Sequence, residues 1–267
     1  MRTVIVHYHI FKNAGTSIDH VLRAAFGEKW ASLEGPTATS LLRPSDLSAF
    51  VEQRREVCAV SSHLLRPPAP ADLVLLPVVL LRDPLDRAYS VYRHHRRRTD
   101  GELWCDTVAR RSSFRQFVRS CLDHKALGGM VIADYQVIHL SPASFRNGHV
   151  YRAIATEDDL RHAIAYLERG PCFGTVDRFD AAVASLCEMA GALDLTVQPL
   201  SVAENVTPGR PSDLDARVSI ARRALGPSLY RRFRRENGLD YRLYEWARAS
   251  AGRRTGQRAC AAGSKAW

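Results

Sequence analysis

Residues 4–18 read Val-Ile-Val-His-Tyr-His-Ile-Phe-Lys-Asn-Ala-Gly-Thr-Ser-Ile, and this stretch decides the fold class. Its apolar start predicts a strand over residues 3–9, and the apolar residues that recur after Ile18 predict an amphipathic helix over residues 17–27. A strand that passes through a short loop into a helix is typical of anion-binding sites. The free N–H groups and the dipole of a helix start both favour negative charge.

The loop between this strand and helix carries side chains suited to an anion. Gly15 lets the backbone approach a ligand closely, Lys12 adds a positive charge, and two hydroxyl residues add donors. In the ATP-type phosphate loop a Lys directly precedes the hydroxyl residue, whereas Lys12 precedes Gly15 by three positions. We therefore predict a different anion-binding loop, formed by Lys12, Asn13, Ala14, Gly15, Thr16 and Ser17.

A second strand-turn-helix stretch lies at residues 78–92, which read Val-Val-Leu-Leu-Arg-Asp-Pro-Leu-Asp-Arg-Ala-Tyr-Ser-Val-Tyr. The apolar run predicts a buried parallel strand over residues 74–81. Asp83 and the proline after it suit the N-cap and first turn of a helix over residues 84–98. Arg82 is therefore expected at the carboxyl end of a central strand, where open α/β sheets bind ligands.

These two stretches carry a resemblance to one enzyme family. Residues 9–17 resemble the 5′-phosphosulfate loop of the sulfotransferases that use 3′-phosphoadenosine 5′-phosphosulfate (PAPS). The carbohydrate and heparan-sulfate-type O-sulfotransferases and their bacterial relatives have His-Ile-Pro-Lys-x-x-Gly-Thr-Ser there, and Phe11 stands here where proline is usual. Residues 82–92, Arg-Asp-Pro-x-x-Arg-x-x-Ser-x-Tyr, resemble the family's 3′-phosphate-binding motif.

The resemblance implies roles for several residues. Arg82 and Ser90 would hold the 3′-phosphate of the cofactor, and Thr207 and Arg210 belong to a late loop that would close over the same end. The resemblance assigns no ligand to Arg87, which we expect to form an internal ion pair with Asp83 or Asp86. It also implies a P-loop-kinase-like three-layer α/β/α domain, which agrees with the alternation of predicted strands and helices around a mostly parallel sheet.

Sulfuryl transfer needs stabilised charge and a base for the acceptor hydroxyl. Lys12 is the predicted catalytic cation. His63 is the predicted base because it ends a short apolar run at residues 57–61, which would deliver it to the same sheet edge. The heparan-type enzymes have a Gly-His segment at this point, and Ser62 replaces the Gly here. The alternative bases are His7, His9, Glu34, His94 and His95, of which the first two are expected to brace the loop.

The composition fits a soluble globular protein and gives no sign of a metal centre. Among 267 residues, 46% are hydrophobic, and no apolar run reaches the roughly 18 residues that a membrane helix needs. The six cysteines form no Cys-x-x-Cys pair, so we expect neither a disulfide framework nor a zinc site. The start at Met1 and the scattered cysteines favour a cytoplasmic protein. The net charge of +10 would suit an acidic ligand or a solvated surface.

The sequence thus predicts one sulfotransferase domain over residues 1–250 and a disordered basic tail over residues 251–267. The predicted reaction transfers the sulfuryl group of PAPS to a hydroxyl of a saccharide or small-molecule acceptor. It leaves 3′-phosphoadenosine 5′-phosphate and requires no metal. The alternatives are a nucleotide or small-molecule kinase of the same architecture, a cofactor-binding but inactive homologue, and a nucleic-acid-binding protein. The last is disfavoured because the Arg runs lack interleaved aromatic residues.

Overall fold

The computed structural model describes residues 3–37, 40–68, 70–99, 101, 103–125, 128–146, 154–199 and 211–263, with side chains up to residue 250. The predicted strand over residues 149–155 falls mostly outside these ranges, as do Thr207 and Arg210. The predicted tail lies beyond the last described side chain.

Five parallel strands form the central sheet in the order β2-β3-β1-β4-β5. They are β1 (Thr3–Tyr8), β2 (Trp30–Ser32), β3 (Ala59–Ser62), β4 (Val74–Leu81) and β5 (Cys172–Thr175). The chain builds the sheet on one side of β1 first and then crosses to the other side. The order therefore reverses at β1, and the crevice at the carboxyl end of such a strand is the usual ligand site of an open α/β sheet.

The described helices follow in chain order. They are α1 (Gly15–Phe26), α2 (Pro44–Gln53), α3 (Pro84–Arg97), α4 (Trp104–Arg111), α5 (Phe114–Asp123), α6 (Tyr135–Leu140), α7 (Ala143–Arg146), α8 (Glu157–Glu168), α9 (Phe179–Gly191), α10 (Leu214–Leu225), α11 (Pro227–Glu236) and α12 (Gly238–Gly263). Short 3-10 turns cover Gly27–Lys29, Gly129–Ile132 and Val176–Arg178.

The two faces of the sheet pack against different helices. Side chains alternate between the faces along a strand, so Val4 and Val6 join the core beneath α2, α8 and α12, while Ile5 joins the core beneath α1 and α9. These are the three layers expected from the sequence, and the predicted α/β/α fold class is confirmed. In the described part of the chain, no helix is both long and apolar enough to cross a membrane.

A separate apolar cluster joins α3, α4, α5, α10 and α11 at one end of the sheet. Within it, the centroid of the Tyr92 ring of α3 lies 5.6 Å from that of Phe114 and 5.4 Å from that of Phe117. This cluster fixes α3 relative to α4, α5, α10 and α11. It therefore fixes the residues of the second motif, which lie in and just before the first two turns of α3.

Candidate functional site

The candidate site lies where β1, β3 and β4 end. Because these strands are parallel, their carboxyl ends share one edge of the sheet. The loop of residues 9–14 leaves that edge after β1, His63 follows β3, and Arg82 follows β4. The His9 N–H still donates to the Ser62 carbonyl at 2.9 Å, which ties the first loop to the end of β3.

The loop after β1 has an unusual backbone conformation. Lys12 and Ala14 both adopt left-handed conformations, with φ of 65° and 58°. Such conformations cost about 1–3 kcal/mol each in residues other than glycine and occur mainly at functional sites. Ala14 is the N-cap of α1, and none of the described side chains caps this helix start. Thr16 is exposed beside it, whereas Ser17 is buried.

Two buried arginines bind the carbonyl oxygens of this loop. Arg82 Nη1 donates to the Lys12 carbonyl at 2.8 Å, and Arg87 Nε donates to the Phe11 carbonyl at 3.1 Å. Carbonyl oxygens would repel an anion, and here they are engaged by cations. The two predicted motifs are therefore in direct contact.

Arg82 forms hydrogen bonds through two of its three guanidinium nitrogens, Nε and Nη1. It is only 6% exposed, and its Nε atom donates to Asp86 Oδ2 at 2.8 Å. Among the described residues, Arg82 Nη2 makes no hydrogen bond. Ser90 makes no direct contact with Arg82, but it lies one helical turn beyond Asp86 on the same face of α3. That face also receives Arg217 of α10, whose Nε atom is 3.2 Å from Asp86 Oδ1.

The expected ion pair of Arg87 with Asp83 or Asp86 does not form. Arg87 donates instead to the Phe11 and Val131 carbonyls and stacks on the Tyr135 ring at 4.5 Å. Asp86 is the direct neighbour of Arg87 in α3, so the two side chains point about 100° apart. Asp83 lies one turn before Arg87, but its carboxylate is engaged as the helix cap. Asp83 caps the helix by accepting from the N–H groups of residues 85 and 86, as the sequence predicts.

His63 lies at the mouth of the loop with a carboxylate behind it. Its Nδ1 atom is 2.9 Å from Glu34 Oε1, which also accepts from the His63 N–H at 3.1 Å. Burial opposes ionisation of Glu34, but these bonds from His63 hold the pKa of its carboxyl below the usual value. The His63 ring stacks on His9 with centroids 3.8 Å apart, and His63 is exposed. Its Nε2 atom is thus the one that can take a proton.

The His9 ring packs against the backbone of Gly15 at the start of α1, in space that any other residue at position 15 would fill with its side chain. A Cβ atom on Gly15 would lie 1.9 Å from His9 Nε2. Asp19 of α1 accepts from both neighbouring histidines, with its two oxygens 2.8 Å from His7 Nδ1 and 3.1 Å from His9 Nδ1. Burial lowers the pKa of His9 to about 4, so His9 is neutral at pH 7. His7 and His9 brace the loop, as the sequence predicts.

This same trio has the residue types of a metal site. The candidate ligand atoms of His7, His9 and Asp19 lie within 4.8 Å of one another. The Nδ1 atoms of His7 and His9 are hydrogen-bonded to different oxygens of Asp19. These candidate ligand atoms therefore have hydrogen-bond partners within the trio, without an ion. Those hydrogen bonds lower the pKa of Asp19 although burial opposes the shift.

Phe11, which stands at the usual proline position, anchors the loop on α3. Its ring contacts His94 at 5.2 Å and His95 at 5.9 Å between centroids. Burial and the nearby Lys12 lower the pKa of His94 to about 4, so His94 adds no charge at pH 7. His95 is bound to buried Asp106 at 2.7 Å. The ring contacts of Phe11 thus tie the loop to α3.

Sequence reasoning missed the support beneath the loop. The Asn13 side chain points inward, and its Nδ2 atom donates to the Leu80 carbonyl and to Gln136 Oε1, each at 2.8 Å. Gln136 also bonds to Arg82 and to Asp240 of α12. No local signal could identify Gln136, which lies 123 residues from its partner in the loop.

Two buried carboxyl groups carry this support. The Asp240 N–H donates to Asp134 Oδ1 at 2.9 Å. Burial and the nearby Asp240 raise the pKa of Asp134 to about 8, and burial also raises the pKa of Asp240, opposed by Arg87. The pair therefore retains a proton at neutral pH.

Comparison with known proteins adds little to this geometry. No family model matches the chain. An uncharacterized protein from Archaeoglobus fulgidus is 22% identical over 251 residues, which cover 91% of this chain and 95% of that protein. The similarity spans nearly the full length of both chains and carries no functional name.

We predict that Gly15→Ala weakens anion binding at this loop. The added Cβ atom would overlap the His9 ring, which Asp19 and His63 hold in place, so either the ring or the loop must shift. The control is Gly191→Ala in α9, where a Cβ atom meets nothing within 4 Å. Titration with 3′-phosphoadenosine 5′-phosphate should show about a tenfold or larger loss of affinity for Gly15→Ala alone. Equal affinities in both variants would contradict the packing argument.

We also predict that Asp134→Asn flattens the dependence of stability on pH. Between the unfolded pKa of about 4 and the folded pKa of about 8, the native state binds more protons than the unfolded state. Wild-type stability from this group is thus complete below pH 4 and is lost as pH rises through 8. Asn tolerates the left-handed conformation of residue 134 and carries no proton.

Urea denaturation at pH 5, 7 and 9 measures this difference. The free energy of unfolding should fall less with pH for Asp134→Asn than for the wild type. Parallel pH profiles would show that the buried pair does not share a proton.

Proposed function

We propose that this protein is a PAPS-dependent O-sulfotransferase, which transfers a sulfuryl group to a hydroxyl of a saccharide or glycosylated small-molecule acceptor. The observation that carries the proposal is the contact between the two motifs. Arg82 of the second motif donates to the Lys12 carbonyl of the first at 2.8 Å. A nucleotide with phosphates at its 5′ and 3′ ends needs two neighbouring anion sites, and neighbouring sites are what this contact supplies.

The residues fit such a cofactor on their own chemistry. The uncapped start of α1, with Gly15 and exposed Thr16, would hold the 5′-phosphosulfate, and Lys12 would stabilise its charge. The open Nη2 donor of Arg82 would hold the 3′-phosphate, with Ser90 on the same face of α3. Thr207 and Arg210 remain predicted contacts from the late loop.

In the proposed reaction the acceptor oxygen forms a bond to sulfur while the bond from sulfur to the 5′-phosphate oxygen breaks. The acceptor proton passes to Nε2 of His63, and 3′-phosphoadenosine 5′-phosphate leaves with the bonding electrons. Glu34 holds the Nδ1 side of His63 at 2.9 Å, which orients the ring and stabilises the imidazolium that forms. The charge of Lys12 offsets the negative charge that develops on the leaving phosphate oxygen.

Neutral histidines beside the loop suit this chemistry. Burial keeps His9 uncharged, so the ring stacked on His63 adds no positive charge that would oppose protonation of His63. His63 itself is exposed to an entering acceptor. We therefore favour His63 as the base and assign His9 a bracing role.

The first test is calorimetric titration with 3′-phosphoadenosine 5′-phosphate, with adenosine 5′-phosphate and ATP as comparison ligands. The bisphosphate should bind most tightly, and Arg82→Ala should reduce its affinity about tenfold to a hundredfold, because a charge-assisted hydrogen bond to phosphate is lost. The matched control is Arg222→Ala, which removes an exposed arginine from the far end of α10.

The outcome separates this proposal from a kinase of the same architecture. Binding of ATP as tight as that of the bisphosphate would favour the kinase. Loss of affinity in Arg222→Ala equal to that in Arg82→Ala would mean that general charge, rather than this site, attracts the nucleotide.

The second test concerns the base. His63→Ala should reduce release of 3′-phosphoadenosine 5′-phosphate from PAPS by roughly a hundredfold or more when a panel of saccharides and glycosides is supplied. Affinity for the bisphosphate should change less than about threefold, because His63 contacts His9 and Glu34 rather than the predicted phosphate groups. The control is His20→Ala on the exposed side of α1. A collapse of nucleotide affinity in His63→Ala would make His63 a structural residue.

A further inference from the structure

The side chain of Gln136 joins the two phosphate-binding motifs from beneath. Its Oε1 atom accepts from Asn13 Nδ2 at 2.8 Å and from the Arg82 N–H at 2.9 Å. Its Nε2 atom donates to the Arg82 carbonyl at 3.0 Å and to Asp240 Oδ2 at 3.3 Å. One buried amide thus holds a residue of the first motif and both backbone groups of the second.

This arrangement needs an amide of this length. Two N–H donors converge on one end of the side chain and two oxygen acceptors on the other. Among side chains, only Asn and Gln combine two N–H donors with an oxygen that accepts twice. A glutamate would lack the donor and would face the Asp240 carboxyl. Gln136, Asn13 and Asp240 are each 1% exposed or less, so water cannot replace a lost partner.

The anchor of Gln136 is itself fixed. Asp240 of α12 accepts from the backbone N–H groups of Gln136 at 3.2 Å and of Val137 at 2.9 Å, and this pins the first turn of α6. Asp240 lies more than a hundred residues after Gln136, in a helix that packs on the sheet. Gln136 therefore transmits the position of α12 to both motifs.

The two motifs have no covalent link shorter than the chain between residues 13 and 82. The pairing of β1 with β4 sets the relative position of the strands that precede them, and Arg82 and Arg87 bind carbonyls of the first loop. Gln136 adds a bridge that holds the Asn13 side chain and both backbone groups of Arg82 at once. A nucleotide with one phosphate uses one motif and is insensitive to the spacing between the motifs. A bisphosphate must meet both at once, so loss of the spacing adds an ordering cost to its binding alone.

We propose that Gln136 is a positioning residue that sets the spacing of the two motifs, and so gives the site its preference for a nucleotide phosphorylated at both the 5′ and the 3′ position. This inference rests on the proposed function. It assigns Gln136 a role that the motifs themselves do not contain.

The test compares three probes by calorimetric titration of the full chain. They are 3′-phosphoadenosine 5′-phosphate, adenosine 5′-phosphate and adenosine 3′-phosphate. In Gln136→Met, which keeps the approximate size of the side chain but removes its hydrogen bonds, affinity for the bisphosphate should fall by about tenfold or more relative to each monophosphate. The ratio of bisphosphate affinity to 5′-phosphate affinity and the ratio of bisphosphate affinity to 3′-phosphate affinity must both fall. Each ratio compares binding to two motifs with binding to one.

Two further variants make the result decisive. Asn13→Ala cuts the link from Gln136 to the loop, together with the Asn13 bond to the Leu80 carbonyl, and leaves the bonds from Gln136 to Arg82 in place. It should lower both ratios in the same direction, so the test survives if Gln136→Met does not fold. The control is Ser144→Ala, which removes a buried hydrogen bond of 2.8 Å to the Ile138 carbonyl of α6 without touching either motif. Its ratios should match the wild type.

Each alternative outcome has a distinct meaning. Equal losses for all three probes, or a fall in only one ratio, would overturn the spacing role and leave a support of the whole site or of one motif. If the wild type prefers the bisphosphate and both ratios are unchanged in Gln136→Met and Asn13→Ala, this inference alone would be overturned. A wild type with no preference for the bisphosphate would overturn the proposed function and this inference together.

Discussion

The loop after β1 is the constraint on which the site depends, because its backbone is costly to hold. Lys12 and Ala14 adopt left-handed conformations that ordinary residues avoid, and α1 begins without a side-chain cap among the described residues. Buried groups hold this loop from three directions. Arg82 and Arg87 bind its carbonyls, Phe11 packs on α3, and Asn13 bonds inward to Leu80 and Gln136. These contacts offset the backbone strain and leave the start of α1 facing outward.

The two sides of the site carry different charges. On one side, Asp19 and Glu34 hold histidine Nδ1 atoms, and burial keeps His9 neutral. On the other side, Arg82 and Arg217 share Asp86 at the start of α3. The exposed imidazole of His63 thus lies between neutral His9 and acidic Glu34, and buried Arg66 donates to its backbone carbonyl. Arg82 and Arg217 converge on the second motif.

The sequence predicted most of the layered fold because its strongest signals were local. The apolar run of β4 predicted its bounds at Val74–Leu81, as the structure has them. The edge strands β2 and β5 were missed because three or four residues are too few to show a period. The short helices α6 and α7 were missed for the same reason.

The candidate site also has features that local sequence predicts and features that it does not. By itself the sequence determined the strand-loop-helix order of each motif, the cap at Asp83 and the delivery of His63 and Arg82 to one sheet edge, because these follow from neighbours in the chain and from parallel strands. Only the tertiary structure decided which groups hold them there. Glu34 behind His63, Asp19 beneath His9, and Gln136 between Asn13 and Arg82 are contacts across 29, 10 and up to 123 positions. Such hydrogen bonds depend on where packing brings distant buried groups together, and a linear sequence carries no period or spacing that records it.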